Sequence, residues 1–83
     1  ATRPSDRSPE AQLIAREWRE QVMAAVNKLP DRQRQVFMLC HYSDHSTRDV
    51  AEMTGLNEST VRVHLFRAIR KLRTAMEGQR HAI

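Results

Sequence analysis

Apolar residues recur along the chain in four stretches, each with the three-to-four-residue spacing of an amphipathic helix. In the first stretch Ile14, Trp18, Val22, Ala25, Val26 and Leu29 form a single stripe, with Trp18 as its core anchor. Pro9 and Glu10 suit the opening turn of that helix, and Ser8 stands where an N-cap belongs. Pro30 ends it, because a proline pushes the residue before it out of the α region. A second helix is expected from about Asp31, whose carboxylate favours a helix N-terminus. It would bury Val36, Phe37, Leu39 and Cys40, then run out in the polar segment His41 to His45. Ser46-Thr47-Arg48-Asp49 has the form of a capping box, with Asp in place of the longer Glu or Gln. A short third helix carries Val50, Ala51 and Met53, and Gly55, which accepts a left-handed backbone, stops it. Leu56 follows as an apolar plug and Asn57 as the cap of a fourth helix. That helix runs from about Glu58 to about Met76, with Val61, Leu65, Ala68, Leu72 and Ala75 along one side.

Composition supports the helical reading. The chain holds two Gly and three Pro, no proline follows Pro30, and good helix formers are plentiful. The expected fold class is therefore all-α: a small four-helix domain with a long last helix. At 83 residues there is room for one domain. Its expected limits are a linker or disordered arm over residues 1–8, a helical domain over residues 9–77, and a flexible tail over residues 78–83. The first residue is Ala1 rather than Met, which fits a piece of a longer polypeptide. The lone Cys40 cannot close an internal disulfide and suits a reducing compartment. No apolar run approaches the roughly 20 residues of a membrane span, and no signal-peptide pattern opens the chain. A cytoplasmic location with no membrane partner is the expectation.

Catalysis finds little support. There is no Gly-rich phosphate loop, no nucleophile elbow and no acid–base pair suggestive of a cleft. Cys40, His41, His45 and His64 raise the question of a metal, but tight ligand pairs such as C-x₂-C are missing. Cys40 fits the apolar face of the second helix as a small hydrophobe. His64 reads as a satisfied histidine on a helix flank, and the four methionines as gap-fillers. No enzyme, cofactor or metal is expected.

Charge points to a partner through its distribution rather than its total, which is +4. Arg62, Arg67, Arg70, Lys71 and Arg73 fall between Ser59 and Thr74 with no acidic residue among them, while most acids lie upstream. A one-sided basic helix is the footprint of phosphate binding, although charge alone favours a solvated face. The third and fourth helices sharpen the choice. A short helix, a Gly-containing turn and a longer second helix make a helix-turn-helix, and Ala51, Gly55, Leu56 and Val61 occupy the positions its packing needs. At about 100° per residue, the side opposite Val61, Leu65 and Leu72 carries Ser59, Arg62, Val63, Phe66, Arg67 and Arg70. A merely solvated face should hold Glu, Lys and Gln. Arginines interleaved with Val and Phe can instead grip phosphate, bond guanine bidentately and touch thymine methyls.

The segment from Leu29 to Arg73 resembles region 4 of the extracytoplasmic-function sigma factors, members of the sigma-70 family. The likeness is carried by Leu29-Pro30 with Arg34 and Val36, by Ser46 with Val50-Ala51-Glu52, and by Thr60-Val61-Arg62-Val63-His64-Leu65-Phe66-Arg67-Ala68. It extends more loosely to the helix over Glu10–Lys28. The resemblance implies a helical domain whose last helix enters the major groove of the promoter −35 element. It also implies docking on the β flap of the RNA polymerase core and, in many members, masking by an anti-sigma factor. On this alignment Arg62, Val63, Phe66 and Arg67 take base-reading and nearby backbone positions. Ser59 and Thr60 stand at the helix N-terminus where phosphate can be held, and Arg70 and Lys71 continue the basic face. The chain departs from the pattern in two places. Asp44-His45 replaces a Gly followed by an apolar residue, and Thr54 replaces a larger apolar residue, which would loosen the third helix.

The rival of the same kind is a LuxR-type helix-turn-helix effector domain, which shares Thr60-Val61-Arg62-Val63-His64 and Lys71-Leu72. It usually lacks the long helix before Leu29-Pro30 and shows Leu65-Phe66-Arg67-Ala68 less fully. A rival of another kind is an interaction module whose basic face takes an acidic protein.

Overall fold

The computed structural model describes residues 8–81. They form four helices, α1 (Pro9–Asn27), α2 (Asp31–His41), α3 (Thr47–Thr54) and α4 (Glu58–His81), and among the described residues there is no strand. Of the arm expected over residues 1–8, all but Ser8 lies outside the described residues.

Each helix end has a local cause. Ser8 is extended, at φ −72° and ψ 142°, and its Oγ accepts from the Ala11 N–H at 3.0 Å, while Pro9 needs no partner for the N–H it lacks. At the other end of α1, the Arg34 guanidinium comes within 3.5 Å of the carbonyl oxygens of both Asn27 and Leu29. It also pairs with Asp31 at 2.9 Å. One side chain thus offers donors to the carbonyls that a helix leaves unpaired and ties them to the first turn of α2. After α2 the chain reverses through Asp44 at φ +55°, and the His45 N–H then bonds the Leu39 carbonyl at 3.0 Å. Asp is among the few non-glycine residues that hold this left-handed conformation readily.

α3 opens with both halves of the capping box. The Asp49 N–H donates to Ser46 Oγ at 3.0 Å, and the Ser46 N–H donates to Asp49 Oδ2 at 3.3 Å. It closes on Gly55 at φ +76°, whose N–H bonds the Ala51 carbonyl at 2.9 Å. Thr54 ties into this turn through its hydroxyl. Its hydroxyl donates to the Val50 carbonyl at 2.7 Å and accepts from the Leu56 N–H at 3.4 Å. A larger apolar residue would supply packing here but neither bond. α4 continues to His81, beyond the end near Met76 read from the apolar pattern, and so takes residues 78–81 of the expected tail into a helix. Gly78 lies within it, a substitution for Ala that costs a helix only about 1 kcal/mol.

α4 is the central element and touches each of the other three helices. Two apolar clusters flank it. Val26, Leu29, Phe37, Ala68 and Leu72 join α1, α2 and α4, with Val22, Ala25 and Ile69 packed around them. Val36, Val50 and Val61 join α2, α3 and α4, with Cys40, Ala51 and Leu56 at their edge. Leu65 packs against both clusters. Val26, Val36, Val50 and Val61 are fully buried, and each such valine stabilises the fold by about 1.5–3 kcal/mol through burial.

The apolar stripe of α1 is only half used. Val22, Ala25, Val26 and Leu29 enter the core, but Ile14 is 60% exposed and Trp18 45%. Trp18 is therefore not the core anchor its position in the stripe suggests. α2 and α3 are short beside the 19-residue α1, and α1 packs chiefly against α4, so among the described residues no other helix covers its outer side towards Pro9. Met53 also faces solvent rather than filling a gap, and Ala75 lies past the last buried residue of α4, Leu72. Gln33 is buried despite its polar side chain, a position the apolar pattern does not reveal.

Candidate nucleic-acid interface

The two clusters consume one side of α4 and leave the other free. Val61, Ala68 and Leu72 are buried and Leu65 is packed, which fixes the rotation of the helix. Ser59, Arg62, Val63, Phe66, Arg67 and Arg70 then fall within roughly 140° of arc on the opposite side, and all six are exposed. Phe66 is 66% exposed and Val63 46%. Thr60, half-buried, and Lys71, exposed, both lie along the Arg67 edge of this face. The eight residues singled out from the sequence thus share one side of one helix. Phe66, Ile69, Arg70, Arg73, Thr74 and Glu77 border one shallow hollow on α4. Arg67, Arg70, Lys71, Thr74 and Ala75 border another.

Three arginines, a lysine and two apolar side chains on an exposed helix can approach a polyanion with base edges beside it. A helix of this diameter fits a major groove about 12 Å wide. Ser59 and Thr60 lie in the first turn of α4, where backbone N–H groups point outward and favour phosphate oxygens.

The helix-turn-helix is held by more than packing. Glu58, the first residue of α4, accepts from Thr47 Oγ1 at 3.1 Å and from Arg62 Nη2 at 2.7 Å, through the same oxygen, Oε1. Thr47 opens α3, so one carboxylate links the N-termini of the motif's two helices to an arginine of the exposed face. Neither Thr47 nor Glu58 stands out from the sequence as a site residue. The i,i+4 spacing of Glu58 and Arg62 was the available signal, whereas the approach of Thr47 depends on the turn at Gly55.

His64 departs from expectation: its Nδ1 is buried without a hydrogen-bond partner among the described residues, so it is not the satisfied flank histidine of the sequence reading. Burial pushes the Cys40 thiol above its ordinary range. Among the described residues no three His, Cys, Asp or Glu side chains gather as a metal-holding group. No helix among them is long and apolar enough to cross a membrane.

The comparisons with known proteins fall on the same segment. The family model described as "Sigma-70, region 4" matches residues 19–72, which take in the second half of α1, all of α2 and α3, and most of α4. The chain belongs to the sigma-70 region 4 family. It is also 35% identical over 49 residues to the RNA polymerase sigma factor SigV of Bacillus subtilis strain 168. That match covers 59% of this chain and 30% of the relative, so the likeness concerns one part of a longer protein.

Proposed function

We propose that this chain is the promoter-reading domain of a sigma factor of the extracytoplasmic-function type, and that the exposed face of α4 reads the −35 element. The observation that carries the reading is the coincidence of two independent facts. The family match spans the helix-turn-helix, and the α4 side left outside the core holds arginines with Val63 and Phe66 between them. Arg62 and Arg67 suit bidentate contact with guanine, Val63 and Phe66 suit thymine methyls, and Arg70 and Lys71 suit phosphates farther along the groove. Ser59 and Thr60 hold a phosphate at the start of the helix. The domain acts by binding, with no chemical step of its own.

The same reading assigns a second partner, the β flap of the RNA polymerase core, and a cytoplasmic place of work. An anti-sigma factor that masks the domain belongs to the same proposal. A LuxR-type effector is disfavoured by the sigma-70 match, which begins inside α1 and so includes part of the long leading helix.

Titration of labelled duplexes tests the reading. The 83-residue chain should prefer one promoter-like duplex over its shuffled sequence, and its affinity should fall steeply as salt rises. Equal binding to both duplexes at every salt concentration would contradict it. Binding to an acidic protein without binding to duplex DNA would favour the interaction-module reading.

A further inference from the structure

Resting on that reading of α4, we infer that Glu58 is a positioning residue that sets the sequence discrimination of Arg62. The two side chains meet at 2.7 Å, and the same carboxylate oxygen is held by Thr47 Oγ1 at 3.1 Å. Arg62 is 63% exposed and Glu58 38%, so their attraction is screened by water and contributes little to stability. Its consequence is geometric. An exposed arginine otherwise samples many rotamers, and contact with a base then costs the entropy of choosing one. Glu58 removes part of that freedom beforehand. It engages one N–H of Nη2, and the guanidinium's other donors remain in their rigid fork, able to take the two acceptors of a guanine edge.

Thr47 makes this more than a local i,i+4 pair. The hydroxyl at the start of α3 fixes the carboxylate from the other helix of the motif, so the orientation of Arg62 is referred to the helix-turn-helix as a whole. The charge of Glu58 has a second effect. A carboxylate beside the binding face repels every phosphate alike, whatever the sequence. Glu58 therefore lowers affinity for all duplexes while raising discrimination at one base pair. A residue that merely stabilises the fold would move both in the same direction.

That opposition is the test. Preferences of the 83-residue chain are measured by titrating a preferred duplex, each of its single-base-pair variants and a shuffled duplex. Glu58→Ala should bind the shuffled duplex as well as the parent or better, and lose about tenfold discrimination at one base pair, the order expected of a bidentate arginine contact. Arg62→Ala should lose preference at that same base pair, and the double variant should lose no more than Arg62→Ala alone. Thr47→Val should give a smaller loss at the same place. Glu58→Gln keeps the shape but not the charge, and should show a partial loss there even if Glu58→Ala folds poorly. An unchanged preference profile in Glu58→Gln and Thr47→Val would overturn the inference, as would a uniform loss across all base pairs. A parent chain with no preference for any duplex would overturn the functional reading itself, and this inference with it.

Discussion

Leu65 and Phe66 are neighbours in the chain with opposite surroundings: Leu65 packs against both apolar clusters, while Phe66 leaves 66% of its surface to solvent. One step along a helix turns a side chain by about 100°, and here that step crosses from the core to the proposed DNA face. Phe66→Ala should therefore leave stability within about 0.5 kcal/mol of the parent, as surface changes generally do. A buried phenylalanine would cost about 3–5 kcal/mol. DNA affinity should fall, with preference relaxed at one or two base pairs. Thermal melting and duplex titration of the same preparation separate the outcomes, and a collapse of the melting transition would move Phe66 into the core.

Gly55 provides a prediction about the turn. Its φ is +76°, and a Cβ added there would meet nothing within 4 Å. The cost of Gly55→Val is then backbone strain without a steric clash, about 1–3 kcal/mol. Gly55→Asn should cost less, because Asn tolerates the left-handed region. Equal melting temperatures for the parent and the valine variant would contradict the turn geometry.

Arg67 is exposed on the same side of α4 as Phe66. Arg67→Ala should weaken binding to the preferred duplex by about 1–3 kcal/mol and relax preference at one position, if the guanidinium reads a base. A pure phosphate contact would instead lower affinity uniformly and make the salt dependence shallower by about one charge. Titrations at several salt concentrations distinguish the two, and an unchanged affinity would remove Arg67 from the interface.

Cys40 carries a pH prediction. Burial holds its thiol above its ordinary value. The unfolded chain then gives up this proton before the folded one, so the thiol's contribution to stability is intact below the ordinary value. It is lost as pH rises towards and through the raised one. Melting temperatures taken from pH 7 to pH 10 should fall less for Cys40→Ala than for the parent. Identical slopes would show that the thiol titrates alike in both states.

Much of this architecture is legible in the sequence because its signals are local. Ser8 before Pro9, the Ser46 and Asp49 capping box, and Gly55 after α3 each act within a few residues, and each stands where the pattern places it. The alignment of Ser59, Arg62, Val63, Phe66, Arg67 and Arg70 follows from helical rotation once Val61, Leu65 and Leu72 are known to face inward. What stayed hidden depends on contacts between distant segments. Trp18 lies on the same stripe as Val26, but whether a stripe is buried depends on whether another helix reaches it, and among the described residues Trp18 stays 45% exposed. The two hydrogen bonds of Thr54, to Val50 and Leu56, are not legible from its size and polarity alone. The Thr47–Glu58 contact joins residues 11 apart through a turn, and the buried Gln33 owes its position to packing rather than to its side-chain type.

The central claim, that α4 reads a specific promoter sequence, is tested most directly by selecting bound duplexes from a random pool with the 83-residue chain. One small module neutralises few phosphates, so binding should be weak, and low salt is the right condition. The account predicts that successive rounds converge on one short motif, and that Arg62→Ala and Arg67→Ala each lose information at particular positions of it. A pool that stays random while the chain still binds duplex would contradict sequence reading by α4 and leave a non-specific basic surface. A motif retained in full by both arginine variants would contradict the assignment of the reading face.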